Sequence, residues 1–241
     1  MKLLYSIENS IGRIVLSNPP FNCLSEPEFE RPGVLSEFLS SPELNAVMVM
    51  GGGRHFCAGA SKEHLDEMAR DEKLLKRNLD KGKALLDIIR YATVPVAAAI
   101  RGSCLGGGLE IALACHFRIA AAAAMFGFPE SGRNLMPGLG GTVASQETTC
   151  RASLIDLAVS GRMIGAGEAL SMGIIDKSCP PAAVEREARQ FLERLTEGRR
   201  SSLIRKIMES IHNARRLSLA EALARETELF CEAAREANGN G

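Results

Sequence analysis

A chain of 241 residues, 46% hydrophobic and 24% charged, is long enough to bury one α/β core with room for a small helical extension. Its 29 basic and 29 acidic residues cancel, which removes the electrostatic ground for nucleic acid or an anionic membrane as the main partner. The seven cysteines are scattered without a Cys-x-x-Cys pair, no run of about 18 uncharged apolar residues exists, and residues Met1 to Glu8 carry no signal-peptide pattern. A metal-free protein of the reducing cytoplasm is expected.

Residues 2–8 and 12–17 read as two short strands joined at Asn9-Ser10, the second ended by Pro19 and Pro20. A helix within 26–40 is cut short by Pro27, Pro32 and Gly33. Asn45 to Met50 is a compact apolar run stopped by Gly51-Gly52-Gly53, which suits a buried strand entering a loop. From Ser61 to about Arg90 the period turns helical, with Leu75, Leu79, Leu86 and Ile89 on one face and Gly82 marking a bend. Val94 to Ile100 is a further buried strand. Gly106-Gly107-Gly108 then leads into an apolar helix from Leu109 to Cys115. Phe117–Ala120 and Met125–Phe128 are strand candidates, and helices are expected near 143–160 and 166–172. From about Ala182 the chain is helical in pattern, so residues 1–181 are expected to form the core and 182–241 a helical oligomerisation region. The basic residues Arg199, Arg200, Arg205 and Lys206 there read as a solvated helix face.

Strands alternating with helices argue for α/β. A dinucleotide-binding sheet fits poorly, because both glycine-rich loops lack the third glycine of that fingerprint and neither carries Gly-Lys-Ser/Thr. Two loops instead look built to present backbone amides: His55 to Ser61, and the three glycines ahead of Glu110. Amides at a helix start point outward and share the positive end of its dipole. Such donors hold the oxygen of a carbonyl that becomes an enolate. Glu110 lies in the first turn of a helix that is otherwise apolar, where a buried carboxylate needs a partner or a function. Glu130 ends a second apolar approach, Phe126-Gly127-Phe128-Pro129. Two such acids in one apolar pocket push their pKa values apart, so that one stays protonated while the other ionises.

Gly106 to Glu110, Phe126 to Glu130, Pro137 to Thr142, Phe56 to Ala60, Ser160 to Leu170 and Gly173 to Asp176 together resemble the signature of the crotonase superfamily, the enoyl-CoA hydratases and isomerases. The resemblance runs in order from about residue 3 to residue 236. It implies a spiral of ββα turns with a C-terminal helical region, and trimers that often pair into hexamers. By position, Ala60 and Gly107 match the oxyanion-hole amides and Glu110 and Glu130 the paired catalytic acids. Ala58, Gly59, Ser61, Lys62, His64, Gly106, Pro137 and Gly138 match the substrate-binding surface. No cofactor is implied, since coenzyme A is part of the acyl-CoA substrate. The expected reaction is hydration of an α,β-unsaturated thioester or its reverse. Isomerisation, decarboxylation or thioester hydrolysis on the same oxyanion hole is the alternative, and a non-catalytic or RNA-binding role is the alternative of another class.

Several positions depart from the family pattern. Ser61 stands where hydratases usually carry Asp, which points to an unusual acyl group. His116 replaces an Asp and reads as a structural hydrogen-bonding residue. Asn134 stands where glycine is frequent, as suits left-handed backbone. The chain reaches Gly239-Asn240-Gly241 ahead of a last helix found in many relatives, which leaves Lys62 as the candidate for a CoA phosphate.

Overall fold

A computed structural model describes residues 1–25, 30–144 and 149–239; the side chains of Lys62, Met68 and Ala144 lie outside the description. Strands β1 (Lys2–Glu8) and β2 (Ile11–Ser17) form an antiparallel hairpin across Asn9 and Ser10, both at positive φ. Strand β2 then pairs in parallel with β3 (Ala46–Gly51), β3 with β4 (Val96–Ile100), β4 with β6 (Phe117–Ala121) and β6 with β9 (Lys177–Cys179). The order β1-β2-β3-β4-β6-β9 makes a six-stranded sheet. A second sheet of three short strands, β5 (Ser103–Leu105), β7 (Met125–Gly127) and β8 (Met163–Gly165), lies in the order β5-β7-β8. Every residue of β3 and β4 is buried, the signature of parallel strands covered on both faces.

Helix α1 (Pro32–Ser40) opens with Pro32 in its first turn, where a missing amide costs nothing; residues 26–29 of the expected segment lie outside the described residues. The single helix expected over 61–90 is two: α2 (Lys62–Met68) and α3 (Glu72–Arg90). Asp71 separates them, because its carboxylate accepts from the amides of Lys73 (3.0 Å) and Leu74 (3.1 Å) and so starts a new helix. Gly82 marks no bend; it is buried within an uninterrupted α3. Helix α4 (Gly107–Ala114) starts two residues earlier than its apolar run, taking in two of the three glycines. The helix expected over 143–160 resolves into α5 (Gly141–Ala144) and α6 (Arg151–Ser160), with 145–148 outside the described residues. Helix α7 (Ala166–Ser171) follows β8.

After β9 come α8 (Val184–Thr196), α9 (Ser201–Arg216) and α10 (Leu219–Ala237). Val184, Ala188 and Leu192, four residues apart, bury one stripe of α8 in the main core against β3 and β4. The solvated face expected around Arg205 is partly wrong. Arg205 turns inward, donating to Thr93 Oγ1 (2.8 Å) and to the carbonyls of Ser41 (2.6 Å), Leu39 (3.4 Å) and Leu44 (3.5 Å). Lys206 pairs with Glu236 of α10 at 2.7 Å. These bonds fasten the α9–α10 hairpin to the loops that enter β3 and β4. Among the described residues no helix is long and apolar enough to cross a membrane, and all seven cysteines are free thiols.

Candidate active site

The loop after β3 is drawn alongside β5 by strand-like bonds. The Cys57 amide donates to the Ser103 carbonyl (3.1 Å), and the Leu105 amide donates back to Cys57 (3.0 Å). Asn22, fully buried with φ 52°, organises this loop from the other side: its amide nitrogen donates to the carbonyls of Gly52 (2.9 Å), His55 (2.8 Å) and Phe56 (3.2 Å). Sequence reading missed this role, and its only sign was an asparagine following the two prolines. Ala58 donates to the Phe21 carbonyl (3.0 Å), and Gly59 accepts from the Leu24 amide (2.9 Å).

Gly59 has φ +83°, and a Cβ there would sit 3.4 Å from the Gly107 nitrogen and 2.9 Å from the Leu105 carbonyl. The loop that carries Ala60 therefore passes directly over the start of α4. Helix geometry leaves the Gly107 amide unsatisfied within α4, because first-turn amides have no carbonyl behind them. Gly108 is packed more tightly still: a Cβ would fall 2.1 Å from the Cys57 carbonyl. The glycine triplet thus lets two backbones touch, and both candidate amide donors, Ala60 and Gly107, lie at that junction.

Glu110, one turn into α4, is 3% exposed. Its Oε1 accepts from the amides of Leu139 (2.8 Å) and Gly141 (2.6 Å). Burial pushes its pKa up to about 7; the Gly141 amide opposes this, and the charge of nearby Glu130 reinforces it. Gly141 has no room for a side chain, since a Cβ would meet the Phe128 ring at 2.9 Å and Glu110 Cγ at 3.0 Å. The segment from Pro137 to Thr142 matched the signature by pattern, but its part as the clamp on Glu110 was not legible there.

Glu130 sits in a 3₁₀ turn (Pro129–Arg133) whose last residue is followed by Asn134 in left-handed backbone, as its identity suggested. Burial holds the Glu130 carboxyl above the usual carboxylate range. Its Oε2 is buried with no hydrogen-bond partner. Gly106 makes space for the other oxygen: a Cβ would lie 2.4 Å from Glu130 Oε1, and φ 52°, ψ −126° is backbone that glycine alone adopts readily. The two acids share one apolar enclosure with Leu24 against Gly107, Leu139 beside Glu110, and Leu79 of α3 over Gly138, where a Cβ would lie 3.0 Å from it. Pro137 is buried beneath the same wall.

Ser61 caps α2, its hydroxyl accepting from the His64 amide (3.2 Å), so the departure from Asp keeps a capping oxygen. Lys62 heads α2, with its side chain outside the description. His64 is half-buried on the same helix. His116 stands apart from the acids: its Nδ1 accepts from the Val96 amide (2.9 Å), which leaves Nε2–H to donate to the Arg90 carbonyl (3.0 Å). Burial lowers its pKa to about 4, so a neutral ring clamps α3 to β4. The Gly173–Asp176 motif is likewise structural. Asp176 accepts from the Arg118 amide (2.7 Å) and pairs with its buried guanidinium at 3.1 Å, tying β6 to the segment entering β9. Arg162 pairs with both Asp156 and Glu168, which accounts for the Gly-Arg…Glu-Ala spacing.

A family model described as enoyl-CoA hydratase/isomerase matches residues 6–240. A probable enoyl-CoA hydratase of Bacillus subtilis (strain 168) is 30% identical over 234 residues, covering 95% of this chain and 88% of that protein. The peroxisomal bifunctional enzymes of Danio rerio (35% over 172 residues) and Cavia porcellus (36% over 192) are also similar; the chain spans about a quarter of their length, 23% and 25%. The crystal structure of an enoyl-CoA hydratase from Polaromonas sp. JS666 superposes with a TM-score of 0.87 at 28% identity, covering 99% of this chain and 94% of that one. A Geobacillus kaustophilus HTA426 structure gives 0.88 at 26% identity, covering 97% and 88%. The spiral core, the C-terminal helices and these likenesses define a crotonase-fold protein. The chain belongs to the enoyl-CoA hydratase/isomerase family.

Proposed function

We propose that this chain adds water to, or removes it from, the double bond of an α,β-unsaturated acyl-CoA thioester. One observation carries the proposal: a buried carboxyl, Glu110, and a half-buried one, Glu130, within electrostatic reach of each other and both displaced upward in pKa, stand beside a helix start whose first amide has no carbonyl behind it within the helix. The amides of Ala60 and Gly107 hold the thioester oxygen as it gains charge. Glu110 keeps one oxygen on the Leu139 and Gly141 amides and offers the other to water, taking its proton as hydroxide adds to Cβ. Glu130 delivers its proton to Cα. The cycle closes when solvent exchange returns a proton to Glu130 and removes one from Glu110. In this reading Ala58, Gly59, Ser61 and Gly106 flank the thioester, Pro137 and Gly138 floor the acyl wall, and Lys62 is the candidate for a CoA phosphate.

A homotrimer, or a pair of trimers, belongs to the same proposal. Exposed apolar side chains fall in two parts of the chain: Val143, Ile155 and Val159 on α5 and α6, and Ile211, Leu223 and Phe230 on α9 and α10. Two unlike apolar regions on one chain favour head-to-tail contacts that close into a ring.

The test is a panel of acyl-CoAs assayed by absorbance and by chromatography with mass detection. Crotonyl-CoA or a cyclic dienoyl-CoA should lose conjugated-thioester absorbance and gain the mass of water. Glu110→Gln and Glu130→Gln should each lower turnover about 10²- to 10⁴-fold while CoA binding persists. Isomerisation without mass change, loss of carbon dioxide, or release of free CoA would replace hydration with another reaction on the same oxyanion hole.

A further inference from the structure

We propose that the acyl group taken by this site carries an oxygen function, a hydroxyl or a carbonyl, that hydrogen-bonds Nε2 of His64, which makes His64 a specificity-determining residue. This rests on the acyl-thioester reading above. Three of the chain's four histidines are backbone clamps. His55 Nδ1 accepts from the Ser103 amide (3.1 Å), His116 binds the Val96 amide and the Arg90 carbonyl, and His212 Nε2 meets the Ala92 carbonyl (3.0 Å). His64 is different: its Nε2 is buried and has no partner among the described residues.

Its position explains why that matters. Helix α2 leaves the Ala60 amide through the Ser61 cap, and its half-buried residues are His64 and Leu65, while Glu63, Asp66 and Glu67 face solvent. His64 therefore stands on the half-buried side of α2, four residues from a candidate oxyanion donor. The cap uses the His64 backbone amide, so the ring is not needed to start the helix. The other side chains that wall the site, Leu24, Leu79, Phe128 and Leu139, are apolar. A hydrocarbon acyl chain would be served equally by an apolar residue at position 64. An imidazole nitrogen held away from water without a partner is destabilising unless a ligand supplies one. Glu130 Oε2 is in the same state, and that atom has a task in the proposed reaction. Ser131 Oγ, also unpartnered, is pressed against Gly161, where a Cβ would lie 2.5 Å away, so packing accounts for it. Arg13 Nε, the fourth such atom among the described residues, belongs to a guanidinium already engaged with Met50 Sδ (3.3 Å) and Glu185 (3.8 Å), which leaves His64 as the orphan that neither packing nor the proposed reaction accounts for.

A straight-chain enoyl-CoA is compared with counterparts of equal length bearing a hydroxyl or keto group near the far end. The unmodified protein should favour an oxygenated substrate by about tenfold or more in kcat/KM, carried by KM. In His64→Leu that ratio should fall to about one, and His64→Gln, whose side-chain amide also hydrogen-bonds, should restore part of it. Calorimetric titration with the saturated analogues reads the same preference without turnover. A binding preference that depends on His64 without any hydration would overturn the hydratase reading alone. Equal handling of both classes by the unmodified protein, or a preference that survives His64→Leu, would overturn the His64 assignment; absence of acyl-CoA binding would overturn both.

Discussion

At the scale of single residues, Glu110 combines two opposed demands. Its carboxyl is enclosed by apolar groups, yet two amides fix one of its oxygens in place. Its folded-state pKa, about 7 against an ordinary 4.5, means that the native state binds a proton more tightly than the unfolded chain does. Stability from this group is complete below about pH 4.5 and is lost as pH rises through about 7. Replacing it with Gln, which keeps an oxygen for the Leu139 and Gly141 amides, should leave melting unchanged at acid pH. At pH 8 the variant should be more stable than the original by roughly 2–3 kcal/mol, read from urea denaturation at both pH values. Equal stability at pH 8 would mean that Glu110 is well solvated in the native state. For activity the sign reverses on the acid side: kcat/KM should climb with pH as Glu110 ionises through about 7, and fall again at higher pH as Glu130 loses the proton it must deliver.

The glycines that shape the site act at the scale of whole elements. Gly106 and Gly108 lie on the same turn and should fail differently. In Gly106→Ala the new methyl displaces Glu130 Oε1 and the positive-φ backbone is strained, so turnover should fall at least tenfold with a stability loss of about 1–3 kcal/mol. In Gly108→Ala the methyl meets the Cys57 carbonyl, forcing α4 off the loop, and destabilisation of about 3 kcal/mol or more is expected by thermal melting. Elements of this kind separate what sequence can show from what it cannot. The buried runs of β3 and β4 and the apolar α4 were legible because several consecutive residues carry one environmental signal. The three-residue strands β5, β8 and β9 were not, since so short a stretch holds no period and its pairing is set by partners far along the chain. The same division runs through the site. Glu110 and Glu130 stood out as acids in apolar surroundings, whereas Asn22 and the Leu139 and Gly141 amides act through backbone geometry that residue identity does not encode.

For the molecule as a whole, the α9–α10 hairpin is attached by polar bonds as well as by the buried side chains of Ile204 and Leu229. Arg205 reaches four oxygens on the loops entering β3 and β4, and Ser201 adds a fifth contact to the Leu44 carbonyl at 3.0 Å. Arg205→Leu removes the donor to Thr93 Oγ1 and one donor each to the Leu39, Ser41 and Leu44 carbonyls, and should cost about 2 kcal/mol, with loosening confined to the hairpin in hydrogen exchange. If the hairpin takes part in a ring of three copies, light scattering should show the variant dissociating at concentrations where the unmodified protein stays assembled.

The junction between the loop after β3 and the start of α4 has a consequence for how such a protein diversifies. The two candidate oxyanion amides come from segments far apart in sequence, yet they are bonded to each other's neighbours through Cys57, Ser103 and Leu105, and locked by the Gly108 contact. Any change that moves one amide must move the other, so the tolerance for mutation there is small. In the proposed reaction the surface that meets the acyl chain hangs instead from α2 and α3, two helices with one broad solvent face each and a break at Asp71 between them. Substitutions on those helices can reshape what is admitted without touching the amide pair. Selection can therefore explore new substrates on one part of this molecule while the reaction itself is inherited intact on another.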